Sequence, residues 1–160
     1  MLHVGREGIA PTGRPFRLLL VSDDPTIAEA LRGHLGRHGF RVCQASSGRT
    51  APHVVDDTYP DVVLIDAAVH GGWREAARSL EGHVPRGRIG VLAAYWSTAA
   101  RREAIELGVG ATFLKQLEGE DLVERLRALI DEAAPPAADP LEPDERARRR
   151  PPASVSRKAG

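Results

Sequence analysis

Short apolar runs alternate with longer amphipathic stretches from Arg17 to Glu132. That alternation is the signature of βα units stacked around a parallel sheet. Leu18-Leu19-Leu20-Val21 and Val62-Val63-Leu64-Ile65 are continuous rather than alternating, as strands covered by helices on both faces require. Val42 to Ala45, Ile89 to Leu92 and Ala111 to Leu114 are the weaker strand candidates. Between the runs, Ile27, Leu31 and Leu35 recur at four-residue spacing, as do Leu122 and Leu126 followed by Leu129 and Ile130, which predicts helices. Thr50 to Asp56, Glu75 to Leu80 and Ala99 to Leu107 supply three more. The expected fold is therefore α/β: five βα units wound around one parallel sheet, with the first and third strands as neighbours.

Length and charge narrow the possibilities further. A chain of 160 residues with 42% hydrophobic content holds one core and a tail. We divide it into a flexible N-terminal extension (1–16), the α/β domain (17–132) and a disordered Pro/Arg-rich tail (133–160). The tail holds six prolines and, from Arg146 onward, six basic residues and no acidic one. Its readings are a solvated solubilising segment or an electrostatic arm for an anionic partner. Lys plus Arg equals Asp plus Glu at 22 each, so no global field draws the protein to nucleic acid or to a lipid surface. The glycines and prolines of the first fifteen residues argue against a signal peptide, and no apolar run is long enough to span a bilayer. A lone cysteine, Cys43, allows no internal disulfide and suits a reducing compartment, where it is expected as a buried structural thiol. The expectation is a cytoplasmic protein without membrane contact. No second periodic segment supplies a DNA-reading helix pair, so no DNA-binding output domain is expected.

In open parallel sheets, ligands bind beyond the carboxyl ends of the strands. The first run is followed by Ser22-Asp23-Asp24-Pro25, the third by Asp66 and the last by Lys115. Right-handed crossovers bring these three ends to one edge. Asp23 and Asp66 are hard oxygen donors suited to one Mg²⁺, which takes one or two carboxylates and fills its other positions with water and phosphate oxygens. Asp66 would then be placed to attack phosphorus, with Lys115 pairing either a phosphoryl oxygen or Asp66 itself.

These residues match a family. Leu-Leu-Val-Ser22-Asp23-Asp24-Pro25, Pro60-Asp61-Val-Val-Leu-Ile-Asp66, Val91-Leu-Ala-Ala-Tyr95 and Gly108-Val-Gly-Ala-Thr-Phe-Leu-Lys115 fall in the order and near-spacing of the receiver domain of bacterial two-component response regulators, which this chain resembles from about Arg17 to Glu132. The resemblance implies a flavodoxin-like (βα)5 doubly wound parallel sheet with strand order 2-1-3-4-5, that Asp66 is the phosphoacceptor, that Asp23, Asp66 and the carbonyl of Ala68 hold Mg²⁺, and that Lys115 is the family's lysine. It also implies a sensor histidine kinase or small phosphodonor upstream and a protein partner downstream.

Several positions depart from the family pattern. Aligned on Pro25, the first acidic residue becomes Ser22, and Asp24 falls one place beyond the acidic pair, where it reads as a helix cap. The Ser or Thr after the fourth strand is Ala93, the aromatic of the fifth is Thr112, and the proline after the lysine is Gln116. The loop after Asp66, Ala-Ala-Val-His70-Gly-Gly, lacks the usual Met-Pro pair and is shorter. The expected function is therefore an atypical single-domain response regulator in a phosphorelay. It would accept phosphate on Asp66 and signal through protein contacts rather than act as an enzyme. Two alternatives stand beside it: a phosphorylation-independent pseudo-receiver, and a flavin or nucleotide binder on the same topology.

Trp73 and Trp96 fall in loops near the expected pocket and read either as contact residues or as rings lying across helix ends. His34 and His38 sit four apart on a helix without a third ligand and read as solvated side chains. Gly108-Val-Gly110 precedes a strand instead of opening a helix, so it is no dinucleotide fingerprint.

Overall fold

A computed structural model describes residues 13–116 and 119–133. Its element order is β1 (Arg17–Val21), α1 (Pro25–Arg37), β2 (Arg41–Ala45), α2 (Ala51–Thr58), β3 (Val62–Asp66), α3 (Trp73–Ser79), β4 (Ile89–Ala93), α4 (Thr98–Glu106), β5 (Ala111–Leu114) and α5 (Gly119–Ala133). The strands form one parallel sheet in the order β2-β1-β3-β4-β5, as the sequence predicts. Helix and strand ends shift by one or two residues from the expected ranges.

The continuous apolar runs are explained by the two faces of the sheet. Leu18 and Leu20 of β1 and Val62 and Leu64 of β3 pack with Leu35 of α1 and with Leu122, Leu126 and Leu129 of α5. Leu19, Val21, Val63 and Ile65 point the other way, into a core shared with Val55, Trp73, Ala76 and Ala104. Successive strand residues face opposite sides, so a strand buried on both must be apolar throughout. Edge strand β2, paired among the described residues with β1 alone, is less covered, and Cys43 there is half-buried against the core instead of fully enclosed.

Two tight contacts place glycines. A Cβ on Gly110 would meet the carbonyl oxygen of Gly87, and one on Gly90 would lie 2.6 Å from the ring of Phe113. Gly108-Val-Gly110 is therefore a packing device at the start of β5 rather than a ligand loop. At the opposite end from the strands' carboxyl ends, Asp61 ties down the approach to β1. It accepts two hydrogen bonds from the Arg14 guanidinium, at 2.9 and 3.0 Å, and a third from the backbone amide of Arg17 at 2.8 Å. Phe16 is buried against Phe40, with ring centroids 5.5 Å apart, so the core reaches one residue beyond the boundary drawn at Arg17. Residues 1–12 and the Pro/Arg-rich segment from 134 lie outside the described residues, and so do the readings made of them.

The two tryptophans correct the contact-surface reading. Trp73 opens α3 and Trp96 lies between β4 and α4, yet they are only 5% and 8% exposed and belong to one core cluster. Their rings meet edge to face at 5.8 Å. His34 and His38 have ring centroids 5.0 Å apart, but among the described residues no group of three or more His, Cys, Asp or Glu side chains could hold a metal ion.

Candidate functional site

β3 ends on Asp66, which is 1% exposed, and three different elements hold its carboxylate. Lys115 Nζ, just past β5, lies 3.0 Å from Oδ1. The amide of Ala68 donates to the same oxygen at 2.9 Å, closing a turn that starts the β3–α3 loop. The Ser22 hydroxyl, immediately after β1, donates to Oδ2 at 2.8 Å. The register of β1 on β3 pairs Val21 with Ile65, so the next residue of each strand meets across the sheet. That register brings Ser22 to Asp66.

Ser22 is wholly buried and fixed on all sides. Its amide donates to the Ala45 carbonyl at 2.9 Å, and its carbonyl accepts from the Gln44 side chain at 2.8 Å. Its hydroxyl also accepts from the amide of Asp24 at 3.1 Å. Asp24 in turn caps α1, its Oδ1 accepting from Thr26 N at 2.9 Å, with Pro25 at the first helical position. Asp23 stands exposed at the rim, one residue on. Sequence reasoning marked Ser22 only as a missing carboxylate and did not foresee its bond to Asp66. Counting one residue past paired strands would have found it.

Burial by itself raises the pKa of the Asp66 carboxyl. The Ala68 amide, the Ser22 hydroxyl and the Lys115 ammonium outweigh that effect and hold it below its ordinary value of 3.8. A group whose folded-state pKa is depressed contributes stability that is present above the unfolded value and is lost as pH falls through the folded one. Urea unfolding of the wild type and of Asp66→Asn from pH 7 to pH 3 is therefore expected to show the wild-type advantage shrinking only below the ordinary carboxylate value. A difference that stays constant across the acid limb would contradict this origin.

The carboxylate's surroundings also show what the departures do. Ala93 ends β4, and its carbonyl accepts from the amide of Lys115 at 2.9 Å, but its methyl offers no hydroxyl to the pocket. Thr112 is half-buried on β5, and its carbonyl accepts from Arg125 at 2.9 Å. The β3–α3 loop closes through Gly72 N to Val69 O at 2.8 Å, with Gly71 and Gly72 at φ of 90° and 87°. Consecutive left-handed residues let this short loop turn where side chains would be strained. Gln116 reaches back to the Ala94 carbonyl at 3.5 Å.

The sheet of order 2-1-3-4-5, which here carries a buried, lysine-paired aspartate at the end of β3, is shared with known proteins. The family profile of the response regulator receiver domain matches residues 18–127. The chain belongs to that family. It is 31% identical over 122 residues to the response regulator MprA of Mycolicibacterium vanbaalenii, covering 76% of this chain and 53% of that protein. It is 28% identical over 107 residues to the regulatory protein AtoC of Escherichia coli, covering 66% of this chain and 23% of the relative. The chain thus spans about half the length, or less, of these curated relatives. Among solved structures, the BeF3-activated receiver domain of Klebsiella pneumoniae RstA superposes with a TM-score of 0.65 at 28% identity, over 71% of this chain and 97% of that one. The receiver domain of the sensor histidine kinase PA1611 from Pseudomonas aeruginosa, with a magnesium ion in its active-site cleft, superposes at 0.64 over 72% and 98% but is 22% identical, a likeness of fold. Among the described residues of this receiver, no helix is long and apolar enough to cross a membrane.

Proposed function

We propose that this receiver accepts a phosphoryl group on Asp66 from a sensor histidine kinase or a small phosphodonor and signals by protein–protein interaction, with a weakened Mg²⁺ site. The observation that carries the reading is the ion pair between the buried Asp66 and Lys115 at the carboxyl edge of the sheet. An ionised carboxylate has about four lone-pair positions, and the three donors on Asp66 leave room for one more interaction. Asp23, Asp66 and the Ala68 carbonyl are the residues that would hold the ion. Two carboxylates and a carbonyl suit Mg²⁺, which keeps several waters. When bound, it screens the charge of the incoming phosphoryl group.

In the transfer, a carboxylate oxygen of Asp66 forms a bond to phosphorus as the bond to the donor's leaving group breaks. The leaving imidazole or acetate keeps that electron pair. Lys115 then pairs with a phosphoryl oxygen in place of Oδ1, and the Ser22 hydroxyl steadies the oxygen that did not react. The product adds one to two negative charges to the pocket, which is the signal a partner would read.

A second reading, a pseudo-receiver that uses the fold as a constitutive interaction module, draws support from Ser22 and Ala93. A hydroxyl already occupies one side of Asp66, and the position that would hold a phosphoryl oxygen from β4 carries only a methyl. A flavin or nucleotide reading gains nothing from the loop after β1, because the amides of Asp24 and Thr26 already donate to Ser22 and Asp24 side chains.

Incubation with acetyl phosphate and Mg²⁺ followed by intact-mass measurement separates the first two readings. The expected result is a single phosphoryl adduct that is absent from Asp66→Asn. An unmodified wild type, or an adduct that survives in the variant, would favour the pseudo-receiver.

A further inference from the structure

Around Asp66 the contacts form a closed circuit, and the tryptophan pair is part of it. Lys115, which pairs with Asp66, lies just past β5, two residues after Phe113 of that strand. The Phe113 carbonyl accepts a buried hydrogen bond from Trp96 Nε1 at 2.9 Å. Trp96 sits three residues after Ala93 and directly before Ser97, whose hydroxyl caps α4 by accepting from Ala100 N at 3.0 Å. Across the core, the Trp96 ring meets that of Trp73, the first residue of α3, which the short glycine loop joins back to Asp66. The guanidinium of Arg74 lies 4.7 Å above the Trp73 ring, and its Nε reaches Glu103 of α4 at 2.7 Å.

We infer that Trp96 is the positioning residue that reports the state of Asp66 to α4, a task that neither Ala93 nor Thr112 has the side chain to perform. This rests on the proposed phosphorylation of Asp66. A phosphoryl group draws Lys115 off the carboxylate, and any shift at the end of β5 reaches Trp96 through the Phe113 carbonyl. A large buried ring bonded to one strand and packed on another helix cannot move alone. Cores repack between discrete arrangements rather than deform smoothly. The displacement is delivered to the α4 cap at Ser97 and to Tyr95, a residue 77% exposed on the same loop. The Arg74–Glu103 pair carries the same shift from α3 to α4 along a second, solvent-exposed route.

The test measures intact mass and amide hydrogen exchange over residues 98–106 in the same samples, with and without acetyl phosphate and Mg²⁺, for the full chain and for Trp96→Phe and Glu103→Gln. Phosphorylation is expected to change α4 exchange about fivefold or more in the wild type. Trp96→Phe should form the adduct as the wild type does and lose most of that change, while Glu103→Gln, on the surface, should lose part of it. A purely structural role for Trp96 would shift exchange equally in both states and leave their ratio intact. An adduct with unaltered α4 exchange in the wild type, or a full response in both variants, overturns the inference and leaves the proposed function standing. Absence of any adduct overturns both.

Discussion

Ser22→Asp is expected to destabilise the protein without metal and to make its stability depend on Mg²⁺. The wild-type hydroxyl donates to Asp66 Oδ2 at 2.8 Å in a wholly buried position. A carboxylate there removes the donor and sets a second anion against the first. The cost of a buried group losing its partner and facing like charge is about 3 kcal/mol. Lys115, the cation beside Asp66, already pairs with that carboxylate and cannot neutralise a second. With Mg²⁺ present, the same two carboxylates and Asp23 become a stronger set of hard ligands, and affinity should rise by about tenfold or more, worth ~1.4 kcal/mol. Melting temperatures with EDTA and with millimolar MgCl2 check both halves. The variant should melt below the wild type in EDTA and recover in Mg²⁺. Equal melting of the two proteins in EDTA would show that Ser22 does not hold the carboxylate as described.

Phe113→Ala is expected to cost about 3 to 5 kcal/mol, a large share of the roughly 5 to 15 kcal/mol that holds a small domain folded. The ring is fully buried, leaves no room for a Cβ on Gly90 and has the Arg125 guanidinium 4.5 Å above it. Its neighbours are strands of one sheet and helix α5, which cannot close in without breaking their own contacts, so the cavity persists. Urea unfolding monitored by far-ultraviolet circular dichroism gives the number. A loss below about 1.5 kcal/mol, the range of tolerated core swaps, would mean that the site collapses. The variant also leaves the Phe113 carbonyl in place for Trp96, so its loss of stability comes from packing and not from that hydrogen bond.

The strand positions and the place of Asp66 were legible because both depend on local pattern, whereas the sheet order followed from the family resemblance. Leu18 to Val21 and Val62 to Ile65 are apolar on both faces, and only a central strand needs that. Lys115 was legible for the same reason, as the polar residue that ends an apolar run. Asp24 was legible as a cap because the residue before a helix-opening proline has few other uses. Ser22 was not, since a serine after a strand has no local mark of what it touches. Only the pairing of Val21 with Ile65 assigns it a partner. The tryptophans were misread in part because they lie outside periodic segments, where burial is decided by elements distant in sequence. Trp73 and Trp96 are 23 residues apart and meet only after α3, β4 and the following loop are all in place.

The Arg14–Asp61 clasp has a practical consequence for work on this protein. It anchors the chain's entry at the pole from which the strands start, whereas Asp66 lies at the pole where they finish. Five strand residues at about 3.3 Å each separate the two by roughly 17 Å. A small fluorophore held at the exposed Gly13, beside the clasp, therefore sits at the opposite end of the sheet from Asp66 and leaves the carboxyl edge of the strands uncovered.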